Sequence, residues 1–170
     1  MKKLFLLVFI VMLISISPAY GHKLISHDDS HRDFDSALVI PDHKISWAIY
    51  ENLGVEESKF YTFDAKKGDS FYASIVIPNL EGLEKYSPSL ILMNDDLYAG
   101  DGTSANIESS VQKFLYEGDY PGNEFYEPFG QVTYWERQEV TTIIPEDGRY
   151  FILVLDEKNQ SGKYALAVGT

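Results

Sequence analysis

The sequence predicts an all-β chain, an antiparallel β-sandwich of about eight short strands. Gly, Pro, Asn and Asp interrupt the chain at intervals of roughly 8–15 residues, a spacing that leaves room for strands and none for long helices. Between these turns, apolar side chains recur at every second position, as in Tyr150, Ile152 and Val154 or Tyr164, Leu166 and Val168, so they share one sheet face. With 170 residues, 45% hydrophobic and without cysteine, the chain has to form its core by packing alone.

The elements follow in order. Lys2 and Lys3 precede an apolar run over 4–16, and Ser17-Pro18-Ala19-Tyr20-Gly21 supplies a breaker and small residues. That pattern reads as a secretory signal peptide over residues 1–21, cleaved after Gly21 or Ala19. The run is shorter than the roughly 20 residues a helix needs to cross hydrocarbon, and retention as an N-terminal anchor is the alternative. Residues 22–43 form a polar leader holding all four histidines, and 44–170 form the sandwich domain. Strands are expected over 45–50, 59–64 and 70–77, the last two joined by Lys67-Gly68-Asp69 and the third stopped by Pro78, which has no ladder donor. A short buried strand covers 89–93. Residues 94–130, with one short helix near 107–116, read as a long loop of the kind that is functional or disordered. A mixed polar and β-branched strand over 131–144 ends at Pro145-Glu146-Asp147-Gly148. Residues 149–155 are apolar on both faces and should be central, and 163–168 should close a hairpin with them.

The chain carries 14 basic and 26 acidic residues, a net charge of -12. Loss of residues 1–21 removes two lysines and no acids, leaving an acidic surplus of 14. Such a balance disfavours nucleic acid and anionic lipid, because displacing phosphate counterions needs a basic face. It suits solubility outside the cell or a divalent cation. Without cysteine, thiolate zinc sites and thiol nucleophiles are excluded. Beyond His43 there is no histidine, so no Ser-His-Asp device can be built within the sandwich. Glu136 with Glu139, or Asp96 with Asp101, could serve as a glycosidase pair, yet acids are too numerous for any pairing to carry a signal. The expectation is a protein that is not an enzyme.

Two stretches carry a resemblance. Asp147-Gly148-Arg149-Tyr150-Phe151-Ile152-Leu153-Val154, followed by Ser161-Gly162-Lys163-Tyr164-Ala165-Leu166-Ala167-Val168, resembles the closing hairpin of bacterial and archaeal pre-peptidase C-terminal (PPC-like) domains. Lys59-Phe60-Tyr61-Thr62-Phe63-Asp64-Ala65-Lys66-Lys67-Gly68-Asp69 is similar to their opening motif. The resemblance spans 45–93 and 131–169. It implies a secreted, jelly-roll-like, non-catalytic sandwich, often attached to exported enzymes or surface proteins and sometimes associated with carbohydrate or calcium. This would be a free-standing version. Residues 87–93 lack the acidic-apolar alternation expected of the family, and 94–130 has no counterpart in it.

Three constellations are candidates for a site. His27 and His31, four apart, would face one side of a helical turn started by Ser26, as a transition metal requires, with His22 a further chelator once it becomes the amino terminus. Asp28, Asp29, Asp33 and Asp35 lie among them. The alternative is a loosely packed leader that solvates its histidines. Asp95, Asp96 and Asp101 offer the oxygens that calcium takes, although their spacing is not that of an EF-hand and Asp, Asn and Gly are ordinary turn residues. Tyr116, Tyr120, Phe125, Tyr126, Phe129, Tyr134 and Trp135 supply flat faces for stacking on sugar rings or partner surfaces, unless they cap one end of the core. Asn159-Gln160-Ser161 is a glycosylation sequon where the host modifies secreted proteins. Together these predict an exported binding or structural module at the cell surface that meets a glycan or an envelope protein, with no membrane insertion after signal cleavage. A metal-binding protein using the leader histidines is the alternative.

Overall fold

The computed structural model describes residues 21–95, 111–128 and 130–170. Among them there is no α-helix, and eleven strands build two packed sheets. They are β1 (Lys23–Leu24), β2 (Leu38–Val39), β3 (Trp47–Leu53), β4 (Ser58–Ala65), β5 (Ser70–Pro78), β6 (Ser89–Asn94), β7 (Val111–Phe114), β8 (Glu124–Glu127), β9 (Val132–Ile143), β10 (Gly148–Leu155) and β11 (Gly162–Val168). One sheet has the order β1-β3-β11-β5-β9-β8, the other β2-β4-β10-β6-β7. The short β1 and β2 pair in parallel with β3 and β4, and the other described pairings are antiparallel.

The period-2 pattern accounts for the core. Ile49, Leu53, Phe71, Ile75, Ile77, Leu166 and Val168 project inward from the six-stranded sheet and meet Tyr61, Phe63, Leu90, Leu92, Ile152 and Val154 of the other. Each such side chain taken fully out of water contributes on the order of 1.5–3 kcal/mol, which is how the sandwich holds without disulfides. Strand β10 is central as expected, between β4 and β6. Its outward face is covered by the leader, where Phe34 meets Phe151 at 5.0 Å and Phe60 at 4.9 Å between ring centres.

Three local expectations are corrected. Strands β10 and β11 do not form a hairpin, because they belong to different sheets. Residues 156–161 carry the chain across the sandwich, with the Asp156 carboxylate accepting the amides of Lys158 (3.1 Å) and Gln160 (2.6 Å). Turn chemistry is the same for a hairpin and for a crossing, so strand neighbours decide. The leader is not a solvated tail either. Its two strands close sheet edges, and Ile40, His31 and His43 are buried. Within 94–130, residues 111–114 form a strand on β6 rather than part of a helix, residues 124–127 pair with β9, and 107–110 lie outside the described residues.

Candidate functional site

The outer face of the six-stranded sheet holds a groove of about 230 Å³. Alternation places small side chains on its floor: Ala48 from β3, Ser74 from β5, and Ala165 and Ala167 from β11. Larger ones rise around them, and Tyr50, Tyr72 and Phe125 form walls beside the carboxylates of Glu127, Glu136 and Glu139. Burial raises the Tyr72 phenol above its ordinary proton affinity, and the nearby Glu139 and Glu136 add to this against a Ser74 hydrogen bond. Tyr134, stacked on Phe125 at 5.6 Å, is pushed up to about 12 by burial and by its neighbour Tyr50.

The aromatic cluster divides once it is placed. Trp135 and Tyr134 are 4% and 6% exposed, which fits the alternative in which these rings pack against the body of the sandwich. The Trp135 indole points inward and donates to Glu124 Oε1 at 3.1 Å. Tyr116 and Tyr120 are committed to Arg137, each ring centre lying 5.2 Å from a guanidinium that is itself buried. Arg137 donates to the carbonyls of Tyr86 (2.9 Å), Glu136 (3.0 Å), Glu84 (3.1 Å) and Pro121, fastening two loops to β9. Phe125 and Tyr126 remain exposed, and on a strand they face opposite sides. Phe129 lies outside the described residues.

The leader histidines converge without a helix. The chain over 25–34 is irregular, yet the rings of His27 and His31 stand edge to face at 4.7 Å. One donor atom each from His27, Asp29 and His31 lies within 4.8 Å of the others, so these three could hold a metal. His31 Nε2 donates to Glu51 Oε1 at 2.6 Å, and His27 Nε2 lies 3.3 Å from the same oxygen. Tyr61 donates to Glu51 Oε1 at 3.0 Å and is itself 2.7 Å from the Tyr164 hydroxyl. Burial holds both phenols well above their usual range. The fully buried Lys59 ammonium pairs with Asp29, which Arg32 also reaches at 2.6 Å, and Lys59 holds that carboxyl below its usual range.

His22 is apart from this group, with Nδ1 2.7 Å from the Ser46 hydroxyl. Asp95 is half-buried just after β6, and Asp96 and Asp101 lie outside the described residues. Asn159 is exposed in the crossing after β10. Glu51 and Lys59 were not singled out from the sequence. A signal existed, since alternation in β3 sets Glu51 between Ile49 and Leu53 on the inward row, where a carboxylate needs partners.

No protein-family model matches the chain, and no curated protein does. Solved structures do match. The pre-peptidase C-terminal domain of a collagenase from Bacillus anthracis is 15% identical over 76% of this chain and 91% of that one, with a TM-score of 0.39. PliG of Salmonella Typhimurium, a periplasmic inhibitor of g-type lysozyme, is 17% identical over 78% and 97%, with a TM-score of 0.42. CorA of Methylomicrobium album BG8, a surface-associated copper-binding protein, is 12% identical over 78% and 98%, with a TM-score of 0.39. At these values the likenesses say nothing of family, ligands or partners, and the sandwich is read from the chain's own two sheets.

Proposed function

We propose that the protein is an exported, non-catalytic binding module, and that a cationic segment of a surface or envelope protein docks on the outer face of its six-stranded sheet. The observation that carries this is the groove, where Tyr50, Tyr72 and Phe125 stand around a small-residue floor beside Glu127, Glu136 and Glu139. Aromatic faces next to carboxylates suit Lys and Arg side chains, which stack on the rings and donate charge-assisted hydrogen bonds. The acidic surplus of the whole chain favours the same sign of partner. A glycan is the second reading. Exposed Phe125 and Tyr126 support it, while burial of Trp135 and Tyr134 withdraws two of the faces a sugar ring would use.

Calorimetric titration with a short Arg/Lys-rich peptide tests the proposal. The double variant Glu136→Gln/Glu139→Gln, and separately Tyr50→Ala, should each weaken binding about tenfold or more, as loss of a charge-assisted contact or a ring face does. Equal affinity in all three proteins would remove the cationic reading. Binding to a neutral glycan on a broad array, lost on Phe125→Ala or Tyr126→Ala, would replace it with the glycan reading.

A further inference from the structure

We infer that the cluster of His27, Asp29 and His31 binds a late first-row divalent transition ion, with Glu51 as the buried carboxylate that presents His31 to it. The inference does not depend on the docking groove. That groove lies on the outer face of the sheet, whereas Glu51 occupies the inward row of β3.

The hydrogen bonds of His31 carry the argument. Its Nε2 lies 2.6 Å from Glu51 Oε1, and because a carboxylate oxygen accepts, the neutral ring places its proton on Nε2 and leaves the lone pair on Nδ1. Nδ1 is buried and has no hydrogen-bond partner, although the residue is only 1% exposed. A bare nitrogen in such a place costs stability, whereas one that ligates a metal is satisfied. An imidazole whose second nitrogen donates to a carboxylate is the arrangement that orients metal-ligating histidines and raises their basicity. Glu51 is held in turn by Tyr61, and Tyr61 by Tyr164, so the carboxylate is fixed by two phenols from the facing sheets.

The other donors complete the set. His27 lies with its ring against His31, and its Nδ1 accepts only a long 3.2 Å bond from the Asp29 amide. Asp29 supplies an anionic oxygen and is half exposed, so the cluster meets solvent on the Asp29 side. Its present partners, Lys59 and Arg32, are cations that an ion on Asp29 would have to share or displace. Two imidazoles and one carboxylate favour zinc or copper(II) over calcium, which prefers six to eight oxygens.

The test is zinc titration of the purified, chelator-stripped protein, with cobalt(II) absorption as a second readout. One zinc per chain is expected. His27→Ala and Asp29→Asn should each weaken binding at least tenfold while far-ultraviolet circular dichroism stays native, and His22→Ala should change nothing. Glu51→Gln should weaken it by about 10–100-fold, the range typical of lost outer carboxylates. If that variant fails to fold, Tyr61→Phe, which removes one bond to Glu51, should show a smaller loss in the same direction. Zinc should also raise the melting temperature of the parent protein and not that of His27→Ala. Absence of zinc binding, or binding unchanged in His27→Ala and Asp29→Asn, overturns the site. Affinity unchanged in Glu51→Gln and Tyr61→Phe overturns the role of Glu51.

Discussion

Arg137 shows what one side chain does in this protein. Its guanidinium is buried, burial lowers its proton affinity, and the bonds around it run to carbonyls of Tyr86, Glu84, Glu136 and Pro121. A lysine keeps the charge but cannot reach carbonyls in several directions from one planar fork. Arg137→Lys should therefore destabilise the fold by roughly 2–4 kcal/mol in urea unfolding, the range for breaking a buried network. His43 makes the pH prediction. It is buried against Phe63, with Asp69 3.6 Å away, and burial outweighs that carboxylate and lowers its affinity for a proton. The unfolded chain protonates first, near the ordinary value of 6.5, so it binds more protons than the native state below that pH. Stability from this group is complete above pH 6.5 and falls as the pH drops toward the lowered native value. Urea midpoints measured from pH 7.5 to 5 should show the decline, and His43→Gln should flatten it. At this scale the approach of His27 and His31 was legible from their four-residue spacing, although the chain brings the rings to 4.7 Å without the helical turn that spacing suggests. Glu51 was not, because an acid in a strand is read as solvated until its neighbours are known.

At the scale of elements, the strands β4, β5, β6, β9 and β10 match their sequence readings to within a few residues, since alternation and turn residues are local properties. Their partners were not legible. The sequence pattern suits β11 as the hairpin mate of β10, yet it lies between β3 and β5. Its inward row of Tyr164, Leu166 and Val168 would suit either sheet. The end of β11 depends on a single backbone conformation. Gly169 has φ +78° and donates its amide to Tyr72 at 3.0 Å, and a Cβ there would run into the carbonyls of Ile45 and His43. Neither carbonyl belongs to a flexible side chain that could yield. Gly169→Ala should cost roughly 2–4 kcal/mol, seen as a lowered thermal midpoint, by combined strain and overlap.

For the molecule as a whole, the acidic surplus and the groove make one testable field. Affinity for the cationic peptide should fall as salt rises from low to physiological ionic strength, because the rim carboxylates act through water. By itself the sequence determined an all-β sandwich, its inward residues and the sign of its charge, since side-chain period and composition are written residue by residue. Only the tertiary structure decided which sheet each strand joins, that Trp135 turns inward, and that Glu51 of β3 meets His31 of the leader. Those outcomes depend on packing between residues far apart in the chain, where several arrangements satisfy the same local pattern and only one fills the interior.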